Sequence, residues 1–148
     1  MDTKNLKGFN VRVYAVCIEN NKLLCIKENF LGIEMIKMPG GGLEFGEGTV
    51  ECLKREFKEE LNLNIEVKDC FYIQEDFVPS LVNDQKQILI LYFKIDLIHS
   101  DQMKIQEKEI KEVLWIDLDQ EDPFSLPVDR IVFEKIKRIN NEKIQTRC

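Results

Sequence analysis

The sequence is short of the residues on which several kinds of chemistry depend. One histidine and one tryptophan occur in 148 residues. A Ser-His-Asp mechanism would rest on His99 alone, and no nucleophile motif surrounds any serine. The cysteines, at positions 17, 25, 52, 70 and 148, are odd in number and form no CxxC pair. That excludes a zinc module or a secreted disulfide scaffold and fits reduced thiols in a cytosol. The longest apolar run, Ile88 to Phe93, is far below a membrane span. The N-terminal Met1-Asp2-Thr3-Lys4-Asn5 lacks a signal-peptide core. Basic residues (21) are outnumbered by acidic ones (27), for a formal charge of −6. Broad charge-driven nucleic-acid binding wants the opposite sign. These absences predict a soluble, cytoplasmic protein with no membrane partner and no broad affinity for nucleic acid.

What remains is an ordinary globular composition, 44% apolar and 32% charged. The length suits a single domain over 1–148, large enough to fold without a disulfide or structural metal. Val11, Val13, Ala15 and Cys17 alternate with Arg12 and Tyr14 and predict a strand. Asn20-Asn21 predicts a turn and Leu23 to Ile26 a returning strand. Met38-Pro39-Gly40-Gly41-Gly42 stops any regular element. With Thr49 as N-cap, Val50, Leu53, Phe57 and Leu61 predict an amphipathic helix over about 50 to 61. Asn62 ends it as a tolerated left-handed residue. Strands follow over Ile65 to Phe77, Gln87 to Ile98 and Glu112 to Asp117. Ser125-Leu126-Pro127 opens a last helix with Val128, Ile131, Val132, Ile136 and Ile139 on its apolar face. The polar tail from Asn140 to residue 148 is expected to fray. Cys17, Cys25 and Cys70 read as small core residues. The architecture expected is a mixed sheet covered by helices.

The informative stretch is Gly41 to Leu63. Glu56, Glu59 and Glu60 stand at i, i+3 and i+4, so three carboxylates project from nearly one helix face and repel one another. Lys54, Arg55 and Lys58 compensate in part, and a solvated face is the ordinary reading of such a run. A hard divalent cation such as Mg²⁺ is the other way to neutralise it. Immediately upstream, Gly40 to Gly48 brings two more carboxylates on a glycine-rich loop. The loop is neither a Walker A motif, which needs Gly-Lys-Ser/Thr, nor a dinucleotide-binding fingerprint.

These residues resemble the Nudix hydrolase box, Gly-x5-Glu-x7-Arg-Glu-U-x-Glu-Glu-x-Gly-U, where U is a bulky aliphatic residue. Gly41, Glu47, Arg55, Glu56, Phe57, Glu59, Glu60 and Leu63 fall on the pattern. Phe57 replaces an aliphatic position and keeps its burial role. Asn62 replaces the last glycine, where Asn is the next-best left-handed residue. The eight fixed positions would coincide on the order of 10⁻⁷ per starting point at ordinary residue frequencies.

The resemblance implies an α/β (α+β) fold of the Nudix α/β/α sandwich type. It also implies hydrolysis of a pyrophosphate bond in a small nucleotide or nucleoside-diphosphate derivative, such as ADP-ribose or a non-canonical NTP. The implied cofactor is Mg²⁺ or Mn²⁺, with Glu56, Glu59 and Glu60 and the Gly40 carbonyl as metal ligands. Glu56 and Glu59 would also carry the catalysis. Arg55 would pair with Glu47 or a neighbouring glutamate and orient it. Glu109, six residues before Trp115, is the choice for an additional acid, with Glu107 and Glu112 as competitors. Glu47, Asp129 and Phe77 are the candidates toward substrate. Asp129 resembles a base-reading acid but equally suits a helix first turn. Phe30, Phe45, Phe71 and Tyr72 could also stack on a base, and Pro79 resembles a weak marker of the ADP-ribose pyrophosphatase branch. Dimers are common in the family, so a homodimer is one expectation. A silent nucleotide sensor is the alternative reading, and retention of Glu47, Glu56, Glu59 and Glu60 counts against it.

Overall fold

A computed structural model describes residues 3–145. Its two sheets grow from two apolar strands. The first, β1 (Gly8–Val16), pairs parallel with β8 (Lys86–Ile98) and antiparallel with the three-residue β5 (Gly40–Gly42). The long β6 (Asn64–Ile73) and short β7 (Val78–Pro79) both pair antiparallel with β8. The second sheet centres on β3 (Lys22–Phe30), flanked by β4 (Ile33–Lys37) and β9 (Ile110–Asp117). A two-residue strand, β2 (Ile18–Glu19), folds back onto β3. The turn between them holds Asn20 and Asn21 at φ of 52° and 61°. Two successive left-handed residues are what a tight hairpin of this twist requires, and Asn tolerates them.

The period of two in β1 and β3 builds the layers. Val13, Ala15, Cys17, Leu24 and Ile26 point to one side and pack with Cys52, Leu53, Phe57 and Leu61 of α1 (Thr49–Leu61). Tyr14, Val16, Leu23 and Cys25 point to the other and pack with Val128, Val132, Phe133 and Ile136 of α2 (Pro127–Gln145). Fully burying a side chain such as Phe57 or Phe133 contributes roughly 2–3 kcal/mol. The result is the α/β/α arrangement expected.

Local differences from the sequence reading have physical causes. Gly48, not Thr49, occupies the N-cap of α1, at φ −90° and ψ 178°, and makes no side-chain cap bond. The helix buries Cys52 while Val50 is exposed. Asn62 does end it, at φ 55° and ψ 34°, its N–H donating to the Lys58 carbonyl at 3.2 Å. The glycines that should stop regular structure form β5, because β1 supplies partners for them. The strand expected over Ile65 to Phe77 ends at Ile73 and resumes as β7. In α2, Phe133 takes the buried position expected of Ile131, which is exposed. That helix extends to Gln145. Residues 146–148, including Cys148, lie outside the described residues, as do Met1 and Asp2. Cys17 and Cys25 are buried, but Cys70 is exposed at a register shift in β6. Among the described residues no helix is long and apolar enough to cross a membrane.

Candidate active site

The glycine strand and α1 meet face to face, and two glycines decide how closely. A Cβ on Gly40 would stand 2.1 Å from the Val13 carbonyl oxygen, and the residue has φ +145°. Only glycine lets β5 approach β1 there. A Cβ on Gly41 would stand 2.3 Å from the carboxyl carbon of Glu56. The missing side chain of Gly41 is therefore the space that holds the Glu56 carboxylate.

Arg55 ties this acidic surface together. Its Nε and Nη2 grip Glu47 at 3.0 and 2.7 Å, and Nη2 also donates to the Gly42 carbonyl at 3.0 Å. Its Nη1 reaches Glu56 at 2.9 Å and Glu59 at 3.2 Å, with Glu44 at 3.6 Å. Hydrogen bonds from Arg55 and from the Glu44 N–H hold the Glu47 carboxyl down to about 2. The same bonds push the Arg55 guanidinium further up from its ordinary value. Glu59 remains exposed. Glu60 is half-buried, and burial beside Glu56 pushes its carboxyl up to about 8 despite the attraction of Lys37. Among the described residues, no three His, Cys, Asp or Glu side chains converge as a ready metal cluster. The cation among the box carboxylates is the arginine itself.

Beside this surface lies a cleft of about 210 Å³, largely apolar, walled by β1, β4 and the start of α2. Tyr14, Phe30, Ile90 and Val128 line it, together with the charged Arg12, Glu28 and Lys37. Glu28 and Lys37 form an ion pair at 3.8 Å with both side chains largely buried. The sequence reading passed over these three charges, each of which shares a strand face with a residue that proves to be buried. Arg12 shares a face with Tyr14, Glu28 with Ile26, and Lys37 with the buried Met35. A charge in an apolar phase is the signal to look for.

Other candidates lie elsewhere. Asp129 does not line the cleft. It is fully buried, receives the Tyr92 hydroxyl on Oδ1, and receives the Met38 N–H on Oδ2 at 3.2 Å. Burial pushes its carboxyl up to about 6. Phe77 is 47% exposed and outside the cleft lining. Phe45 is fully exposed at the glycine loop, while Phe71 lies under Lys135 and Tyr72 against Tyr92. Glu109 is exposed just before β9, where its backbone carbonyl accepts the Asn29 N–H at 2.9 Å. Glu107 is likewise exposed, its carbonyl accepting the Ile110 N–H, and Glu112 pairs with Lys27 at 3.6 Å. His99 is exposed just past the end of β8.

Comparison with known proteins agrees with this layout. The NUDIX domain family model matches residues 8–135. The solved structure of a MutT NUDIX hydrolase from Burkholderia pseudomallei superposes with a TM-score of 0.75 at 17% identity, covering 88% of this chain and 99% of that one. The E. coli ORF135 protein gives 0.74 at 18% identity, over 93% and 94%. Among curated proteins, the mRNA-decapping protein OPG122 of Variola virus is 33% identical over 85 residues, 53% of this chain. The match spans only 34% of the viral protein. With the box, the sandwich and the family model all in register, the chain belongs to the NUDIX domain family.

Proposed function

We propose that this protein hydrolyses the pyrophosphate bond of a small nucleotide or nucleoside-diphosphate derivative, with Mg²⁺ or Mn²⁺ as cofactor. The observation that carries the reading is the Glu56 carboxylate seated on Gly41 beside Glu60, across the glycine strand from Arg12 and the largely apolar cleft that it lines. The donors present fit a hard divalent cation: carboxylate oxygens of Glu56 and Glu60, the Gly40 carbonyl, and Glu59 close by, in a cradle that a Cβ would fill. Glu56, Glu59, Glu60 and the Gly40 carbonyl would hold such a cation, which would supply neutralisation of phosphoanhydride charge and activation of water. Arg55 holds Glu47, Glu56 and Glu59 in fixed orientation, which is pre-organisation rather than chemistry. Glu109 sits on an exposed segment and is the candidate for a further acid from outside the box. The cleft receives the nucleoside. Free cysteines and a net charge of −6 suit a cytoplasmic enzyme acting on small molecules.

The test is a screen of ADP-ribose, oxidised dNTPs, dinucleoside polyphosphates and nucleotide sugars with Mg²⁺ and Mn²⁺. The likeness to a decapping protein adds a short capped RNA fragment to the panel. Metal-dependent release of phosphorylated products that disappears in Glu60→Gln supports the reading. Nucleotide binding without turnover on the whole panel would refute it in favour of a sensor.

A further inference from the structure

Arg12 and Lys37 flank the ring of Tyr14 in the wall of the cleft. The Arg12 guanidinium lies 5.5 Å from the ring centroid and its Nε donates to the Tyr14 hydroxyl at 2.9 Å. The Lys37 ammonium lies 4.5 Å from the same centroid. Burial acts against both charges, and Tyr14, Glu28 and the box glutamates offset it, leaving both groups raised from their ordinary values. Lys37 has 6% of its side chain exposed, and its ion pair with Glu28, at 3.8 Å, is longer than a hydrogen bond. Among the described residues, neither the Lys37 ammonium nor the two terminal nitrogens of Arg12 donates a hydrogen bond to a protein acceptor. No buried side-chain nitrogen or oxygen among the described residues is left without a partner, and both Arg12 and Lys37 line the cleft.

Their position relative to the acidic helix is equally specific. Arg12 Nη1 lies 3.6 Å from where a Cβ on Gly42 would sit, while Glu56 fills the corresponding space at Gly41. Successive residues of a strand face opposite sides. Only side-chain-free backbone therefore separates the cationic wall from the carboxylates. The fields cross it, Arg12 being stabilised by Glu56 and Lys37 by Glu60.

The geometry points to Arg12 and Lys37 as a phosphate-binding wall: they hold phosphate oxygens of a nucleotide whose base lies on the apolar lining beyond them. Guanidinium and ammonium donors facing a largely apolar cleft suit an oxyanion, and the fork of Arg12 suits two oxygens at once. Glu28 offsets part of the charge, and the wall keeps a net positive charge. The inference deepens the hydrolase reading and rests on it for the identity of the ligand as a nucleotide.

Calorimetric titration of the full chain in EDTA, with ADP and adenosine as probes, separates the wall from the metal. The wild type is expected to bind ADP more tightly than adenosine. Arg12→Gln and Lys37→Met should each weaken ADP by about tenfold or more, the loss expected of a charge-assisted hydrogen bond, and leave adenosine unchanged. Equal affinity for ADP and adenosine in the wild type, or unchanged ADP affinity in both variants, would overturn the proposal. Should Lys37→Met fail to fold, the more accessible Arg12→Gln carries the test alone, by the same criterion. A protein that shows the ADP effect yet turns over no nucleotide with Mg²⁺ would keep the wall and lose the hydrolase reading. Turnover with no ADP effect would do the reverse.

Discussion

Two adjacent glycine-to-alanine substitutions should have opposite consequences. At Gly41 a methyl group would lie 2.3 to 2.6 Å from the three carboxyl atoms of Glu56, where ordinary contact begins near 3.4 Å. The carboxylate must retreat by about 1 Å. It is the far end of a flexible side chain, and Gly41 does not have a left-handed backbone, so the fold yields at small cost. A displacement of that size in a catalytic group lowers the rate about 100-fold, or roughly 2.7 kcal/mol in the barrier. At Gly40 the methyl would meet the Val13 carbonyl oxygen at 2.1 Å, with φ at +145°. Backbone cannot swing aside, so the β1–β5 ladder must open, at a cost of about 3 kcal/mol or more. For a domain of this size that lowers the melting temperature by roughly 6–12 °C. The assay pairs a thermal melt with steady-state kinetics on whichever nucleotide the wild type hydrolyses. Gly41→Ala should melt near the wild type and turn over slowly, and Gly40→Ala should melt early. Wild-type turnover by Gly41→Ala would show that the seat of Glu56 is immaterial to the chemistry.

Three further outcomes are expected. Glu60→Gln should keep the far-ultraviolet circular dichroism spectrum, lower kcat by orders of magnitude and raise the Mg²⁺ concentration needed for half-maximal rate. Asp129 has a carboxyl raised from 3.8 to about 6 in the folded protein. The folded state therefore holds that proton more tightly than the unfolded chain, and the stabilisation is full below pH 4 and lost as pH rises through 6. The stability difference between wild type and Asp129→Asn, followed by urea titration, should fall by about 2 kcal/mol from pH 4 to pH 7, and a flat difference would contradict the buried placement. At the C-cap of α1, Asn62→Gly should be nearly neutral and Asn62→Val should cost about 1–2 kcal/mol, because φ there is 55° and a β-branched residue resists it.

The parts legible in the sequence are those set by local spacing. The period of two in Val11 to Cys17, the paired Asn20-Asn21 turn, the helical recurrence of Leu53, Phe57 and Leu61, and the left-handed stop at Asn62 all appear where the residues alone put them. The three glutamates share a helix face for the same reason. What escaped depends on partners distant in sequence. No property of Gly40 to Gly42 reveals that β1 will supply hydrogen bonds and draw them into a strand. Asp129 carries the composition of a helix first turn, and only the packing of β8 behind it brings Tyr92 within reach. Phe133 displaces Ile131 because the edge of Phe124 lies on that side of α2. The cationic wall was missed in yet another way. Arg12 and Lys37 look like ordinary solvent-facing charges until Tyr14, between them, proves to be core.

The opposite displacements of two glutamates in one box show where positive charge is lacking. Glu47 receives two hydrogen bonds from Arg55 and one from a backbone N–H, and its carboxyl is driven down. Glu60 stands on the same acidic surface, yet its carboxyl is driven up. Arg55 explains the contrast because its fork is already committed to Glu47, Glu56, Glu59 and the Gly42 carbonyl. One guanidinium faces several carboxylates and reaches those nearest the glycine loop. Glu60, beyond that reach and partly desolvated, has Lys37 as its favourable charge, and Lys37 is already paired with Glu28. Burial first, and the neighbouring Glu56 second, thus set the Glu60 carboxyl apart from the one that Arg55 holds. A cation entering beside Glu60 meets oxygen donors that the protein's own cations leave incompletely balanced, while the arginine keeps the neighbouring carboxylates in place.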